Sequence, residues 1–471
     1  MRTARTADLE LPEEPSNVSS GRMTVAGTGD VVIARKISQL EDPAFLDLVE
    51  LLRSTDCAWG NCETVFLDTS KAYPSRKALD MHLSCAPSGA DELAWSGFDS
   101  LGIANNHALD YGYDGLFSTM KHLDRVGIGY AGVGENLEDA SQPTYVDTPV
   151  GRVGQVSCAS FAPPEFSAEY ASHFANGRPG INRLDVLTEL DADSFDRLHG
   201  VYKELLHAIS GQSYEPFGGA LGAVIRKHAE RENRQKRRLA FSGRHFTKGE
   251  RTTPFNEVHA GQLSRITEAL DLAKRNSHVT LLCLHAHEGA GDFESPAPFM
   301  QPFARACIDA GADVVFGTGP HLLRGIEIYR NRPIFYSLGN FMFQYGAVKD
   351  IPYEMLRNLG LDGKLRDPST FFARYDRFFS SSHYWESVVP IITFEHGDVT
   401  EIKLYPIDLR ARAKDSRRGT PVFAQGKTGK RIIDRLATLS APYRTRIVSE
   451  EGVGRVELDV PRTTSRAVGG L

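Results

Sequence analysis

Six apolar runs of this chain end on side chains that can bind a cation or move a proton. TVAGTGD ends on Asp30, and the next run enters GNCE with Asn61 and Glu63. SLGIANNHALD delivers Asn105, Asn106, His107 and Asp110, and LLCLHAHEG delivers His285, His287 and Glu288. VVFGTGPH stops at His321 and IFYSLGN at Asn340. Carboxylates, amides and imidazoles together form a hard-to-borderline donor set suited to Mn, Fe or Zn. Two adjacent metals need a bridging carboxylate, which either Asp30 or Glu63 can supply. Such a pair clamps a substrate oxyanion and brings the pKa of a bound water toward neutrality. Taken singly, each residue also reads as a turn, cap or core group. Their arrival together at six strand ends points to a site for one or two divalent metal ions.

The elements that must position these residues follow an α/β pattern. Short apolar runs alternate with helical periodicity from Arg22 onward, as in layered α/β folds. A helix is expected from about Asp42, with Phe45, Leu48, Val49 and Leu52 on one buried face, and others over about 113–125 and 299–310. Residues 144–160, 325–340 and 388–409 read as hairpins, the last two turning at 330–332 and 396–398. Open α/β sheets place their sites in the crevice at the carboxyl ends of strands, where all six polar ends fall. Residues 165–260 read as a polar, mostly helical insertion and 345–387 as a second one rich in aromatics. Residues 1–21 read as a loose tail, and the segment from about 410 as an extension packing a last helix on the core.

Composition closes off several functions. The 471 residues are 41% hydrophobic with a net charge of −6, an ordinary globular balance and no polyanion binder. The basic run at 225–238 carries two glutamates and no interleaved aromatics, so it reads as a solvated helix face near the site mouth rather than a nucleic-acid surface. No apolar run reaches the ~20 residues of a membrane span, and the first residues lack the apolar stretch of a signal peptide. Six cysteines without a C-x-x-C pair read as reduced, so the expectation is a soluble cytoplasmic protein. There is no phosphate-binding G-x-x-x-x-G-K-[ST] loop, no G-x-G-x-x-G after the first strand and no G-x-S-x-G elbow, which leaves nucleotide-driven, Rossmann-cofactor and serine-hydrolase chemistry without support.

GDVVIAR at 29–35, GNCE at 60–63, ANNHALDYG at 104–112, DAGADVVFGTGPHLLRGIEIY at 309–329 and YSLGNFMF at 336–343 resemble the CapA family. These poly-γ-glutamate capsule biosynthesis proteins belong to the calcineurin-like metallophosphoesterase superfamily. The resemblance spans about residues 22–343 and implies a four-layer α/β/β/α sandwich with two insertions. It implies Asp30 as the first-strand metal ligand, Glu63 as the carboxylate shared between metals, Asn106 as the ligand asparagine and His107 as the catalytic histidine. His287 falls at the histidine of the family's H-W-G, and His321 matches the last histidine ligand. The sequence departs where the superfamily's D-x-H becomes Asp30-Val31-Val32, and where the penultimate histidine of the last loop becomes Thr318 or Gly319; His285 or Glu288 is then expected to complete an altered sphere. Arg35, Arg324 and Asn340 are expected to bind the substrate. The function implied is a metal-dependent hydrolase, in which a metal-bound hydroxide attacks an ester or amide of a small or polymeric anionic substrate. The alternatives are a ligase or transferase partner in polyglutamate or other amide-polymer synthesis, and a non-catalytic scaffold with an altered metal site.

Overall fold

In the computed structural model the described residues are 21–76, 81–211, 238–241, 244–361, 368–414 and 416–458. Two large sheets carry the fold. In the first, Arg22–Val32 runs parallel to Cys57–Cys62, followed by Ser100–Gly102 and Gly129–Ala131. On the other side of Arg22–Val32 the neighbour changes. Residues 22–26 pair antiparallel with Glu386–Glu395, whereas Asp30–Val32 pair parallel with Asn340–Phe343. The second sheet runs in the order Ile326–Tyr329, Arg332–Phe335, Val314–Thr318, Val279–His285, Gly151–Ala159 and Thr144–Thr148, with its inner four strands parallel. A mixed α/β architecture is therefore present.

Apolar residues of the two sheets pack on each other. Val25, Cys57 and Trp59 of the first join Val279, Leu281, Cys283 and Phe316 of the second in one buried cluster. Trp59 stacks on Phe316 with centroids 4.8 Å apart and planes 5° from parallel. Gly27 makes that stack possible, since a Cβ there would overlap the Phe316 ring. Helices cover the opposite faces. Pro43–Arg53 buries Phe45, Leu48, Val49 and Leu52, its first turn capped by the Asp42 carboxylate on the Ala44 N–H. Gly89–Ser96 and Gly112–Val126 share its cluster with Ala58 and Leu101 of the first sheet. Ala260–Arg275 and Met300–Asp309 pack on Val156, Leu282 and Val315 of the second. The three expected hairpins form, at Thr144–Ala159, Ile326–Phe335 and Glu386–Asp408.

Two segments differ from the sequence reading. The residues expected to be mostly helical contain a four-stranded sheet of their own, Arg238–Phe241, Arg244–Gly249, Val186–Asp191 and Thr253–Val258, beside the helix Ala192–Gly211. Both faces of these strands are only partly buried, so no clean alternation marks them. Residues 225–237 of the basic run lie outside the described residues. The expected last helix is Gly426–Ser440, which buries Ile432, Ile433 and Leu436 against the intersheet cluster. After it, Ile447–Glu450 and Val453–Val456 add two unanticipated strands to the edge of the first sheet.

Candidate metal centre

The carboxyl ends of both sheets meet at one buried cluster. Asp30 and Glu63 come from the first sheet and the loop after its second strand; both are fully buried. The second sheet contributes His285, the last residue of its strand. His285 Nε2 lies 2.9 Å from Asn106 Oδ1, 3.1 Å from His287 Nε2 and 3.2 Å from Glu63 Oε1. On the far side of Glu63, His321 Nδ1 stands 3.3 Å from Asp30 Oδ2 and 3.8 Å from Glu63 Oε2. Two ligand groups result, Asp30–Glu63–His285 and Glu63–His287–His321, and Glu63 belongs to both.

The donor set fits a divalent cation. Ligands bound at about 2.1 Å stand roughly 3.0–3.4 Å from one another, and His287 Nε2 and Glu63 Oε1 have that spacing from His285 Nε2, with Asn106 Oδ1 slightly closer at 2.9 Å. Electrostatics agree. Burial alone would lower the His321 pKa, yet the charge of Glu63 and the hydrogen bond and charge of Asp30 push it up to about 9. Two buried carboxylates thus create a place where positive charge is strongly favoured.

A frame of amides and close backbone contacts holds these groups. Asn61 donates to Asp30 Oδ1 at 2.8 Å and stands 3.2 Å from His285 Nδ1. Asn105 donates to Asn61 Oδ1 and to the Cys62 carbonyl. The Gly319 N–H donates to Asp30 Oδ2 at 3.1 Å, and Thr318 Oγ1 lies 3.2 Å from His285 Nδ1. Gly29 lets the backbone of Asp30 approach its neighbour, for a Cβ there would land on the Gly339 carbonyl; the Asp30 N–H bonds that same oxygen at 2.8 Å. His321 has φ +59°, a left-handed conformation rare outside glycine. Conformations of this kind cost roughly 1–3 kcal/mol and persist where surrounding contacts enforce them. The enforcing contact is Asn340, whose Oδ1 lies 2.9 Å from His321 Nδ1 and whose Nδ2 donates to the His321 carbonyl.

His107 is beside the cluster rather than in either ligand group. Its Nδ1 lies 2.7 Å from Asp110 Oδ2, both side chains being buried, and its N–H donates to Asn105 Oδ1. Asp110 also accepts from the Leu83 N–H at 2.7 Å, which fixes the carboxylate. The i, i+3 spacing of His107 and Asp110 was a visible signal for this pair, and Asn61 was visible as a polar strand end.

Three expected substrate residues are placed differently. Asn340 is turned onto His321 and the Tyr384 carbonyl, as a support for the ligand. Arg324 is fully buried; its Nε donates to the Phe293 carbonyl and its Nη2 to the His287 carbonyl. It ties down the His287–Gly289 loop from inside, away from any open face, which long cationic side chains rarely do. Arg35 donates to the Arg418 carbonyl at 2.6 Å. Of the two residues expected to complete the sphere, His285 lies within the cluster, beside Glu63 and Asn106. Glu288 instead accepts from Ser160 Oγ at 2.9 Å, and burial raises its pKa. Arg324→Ala, which removes two charge-assisted bonds made by a fully buried guanidinium, is expected to lower unfolding stability by about 2–4 kcal/mol. Urea denaturation of the metal-free protein checks this, and a loss under about 1 kcal/mol would assign Arg324 another role.

All six cysteines are free and buried, and no helix among the described residues is long and apolar enough to cross a membrane. The family described as "Bacterial capsule synthesis protein PGA_cap" matches residues 24–345. The uncharacterized protein y4sH of Sinorhizobium fredii is 34% identical over 459 residues, 94% of each chain. The capsule biosynthesis protein CapA of Bacillus anthracis is 24% identical over 331 residues, 69% of this chain and 61% of that protein. The PGA biosynthesis protein CapA of Bacillus subtilis is 23% identical over 329 residues, 69% and 64% of the two.

Proposed function

Because this chain belongs to the PGA_cap family of bacterial capsule synthesis proteins, the CapA family, we propose that it is a CapA-type, metal-dependent hydrolase of an ester or amide in an anionic substrate. The observation that carries this reading is the pair of ligand groups sharing Glu63, with the His107–Asp110 pair beside them. Asp30, Glu63, Asn106, His285, His287 and His321 would hold one or two ions of Mn, Fe or Zn. When bound, such ions supply Lewis acidity and lower the pKa of water. The remaining work falls to side chains. Asp110 engages Nδ1 of His107 and fixes its ring, so that Nε2 is the nitrogen that passes a proton to the leaving group. Asn61, Asn105 and Asn340 keep the ligands in register, and Arg324 holds the loop that carries His287.

The succession of helices, sheet, sheet and helices supports reading the fold as a four-layer α/β/β/α sandwich. We read residues 22–409 as one such unit carrying insertions at about 165–260 and 345–387, with the described residues from 410 to 458 packed on it, and the six free, buried cysteines support a cytoplasmic location.

The test is elemental analysis of purified protein, combined with hydrolysis of p-nitrophenyl phosphate and bis(p-nitrophenyl) phosphate. Bound metal with turnover that chelation abolishes is expected. Absence of metal after growth with Mn, Fe and Zn would overturn the reading. A second reading, an accessory component of amide-polymer synthesis, is favoured by the names of the two Bacillus relatives, which refer to capsule and PGA biosynthesis. Metal without turnover of either phosphoesters or γ-glutamyl amides would select it.

A further inference from the structure

The two histidines on the less buried side of the cluster form part of a row of rings. Phe161, on the loop after the strand Gly151–Ala159, stacks on His287 with centroids 4.3 Å apart and planes 28° from parallel. His287 meets His321 edge-on at 5.5 Å, and His321 meets Phe379 edge-on at 6.1 Å. Phe161 keeps 44% of its surface exposed. Phe379 is half-buried, and it touches Tyr384, whose carbonyl accepts from Asn340. Phe293, whose carbonyl binds the same Arg324 that holds His287, is 65% exposed. An exposed phenyl ring gains nothing from water, and two, Phe161 and Phe293, lie around the ligand loops. Arg324 is committed to the Phe293 and His287 carbonyls, Arg183 to Asp185, and Arg435 to Glu294.

We infer that Phe161 and Phe379 are specificity-determining residues which stack on a planar or apolar group attached to the substrate's anionic centre. The inference rests on the metal-centre reading given above and narrows its substrate class to anions with an aryl or similarly apolar flank. A substrate with a flat apolar group would bury it between rings whose faces suit stacking.

The test measures binding of phenylphosphonate and methylphosphonate, neither of which has a cleavable ester, to the Mn-loaded protein by calorimetry. Phenylphosphonate is expected to bind about tenfold more tightly, the scale of one ring–ring contact plus its burial. Phe161→Ala or Phe379→Ala should cut that ratio to about threefold or less while leaving methylphosphonate affinity and metal content as in the wild type. Equal affinity for both probes, or a ratio unchanged in both variants, would overturn the inference while the metal-centre reading stands. Binding of neither probe would overturn both.

Discussion

Glu63→Gln is expected to strip the protein of metal altogether, whereas Asp30→Ala and His287→Ala each remove a ligand from one group. The asymmetry follows from position. Glu63 is the one residue common to both ligand groups among the described residues, with Oε1 3.2 Å from His285 Nε2 and Oε2 3.8 Å from His321 Nδ1. Neutralising it also removes charge from a fully buried place, where the attraction to a cation is least screened. Loss of an outer support of a metal ligand already costs about 10–100-fold in affinity, and loss of a shared carboxylate should cost more. Plasma-based elemental analysis of each variant after gel filtration decides the matter. Wild-type metal in Glu63→Gln would refute the bridging role, and wild-type metal in all three variants would remove the site.

The same charges set a pH dependence in the metal-free protein. The His321 pKa, raised to about 9, lies above its ordinary 6.5, so its proton stabilises the fold fully below about pH 6.5. That contribution is lost as pH rises through about 9. A bound cation expels the proton. Metal-free protein should therefore melt at progressively lower temperature across this window, and the metal-loaded protein should change less.

How much of this could be read from the chain depends on distance along it. The Asp30, Glu63, Asn106, His285, His287 and His321 positions were legible because each ends an apolar run, a local signal. The helix Pro43–Arg53 was legible from the spacing of Phe45, Leu48, Val49 and Leu52 for the same reason. The pairings of the supports were not. Asn61 reaches His285 across 224 residues and Gly319 reaches Asp30 across 289, and no periodicity encodes such pairings. Arg324 and Asn340 were legible as polar residues near the ligand loops, but whether they face substrate or protein is decided by burial. The small sheet that contains Val186–Asp191 escaped notice because its strands, half-buried on both faces, lack the alternation that betrays a one-sided sheet.

His107→Asn should leave the metal in place and remove turnover. His107 belongs to neither ligand group, and asparagine keeps a polar side chain of smaller size in a buried position. What it loses is a titratable nitrogen, and a positioned general acid is worth about 10²–10⁴-fold in rate. Asp110→Asn supplies the control for mechanism. Its Oδ2 stands 2.7 Å from His107 Nδ1 and accepts the Leu83 N–H at the same distance. An amide oxygen there can accept from Nδ1–H and from the Leu83 N–H as the carboxylate does, but without the charge that supports a protonated ring. Asp110→Asn should therefore lose about 10-fold or more in kcat with little change in KM. Activity is read with p-nitrophenyl phosphate alongside a substrate whose leaving group is a poor one. Loss should be larger for the poor leaving group, because p-nitrophenolate departs with little need of a proton. Equal losses for both substrates would show that His107 does not protonate the leaving group. Loss of metal from His107→Asn would make His107 a ligand and transfer the role of proton donor elsewhere.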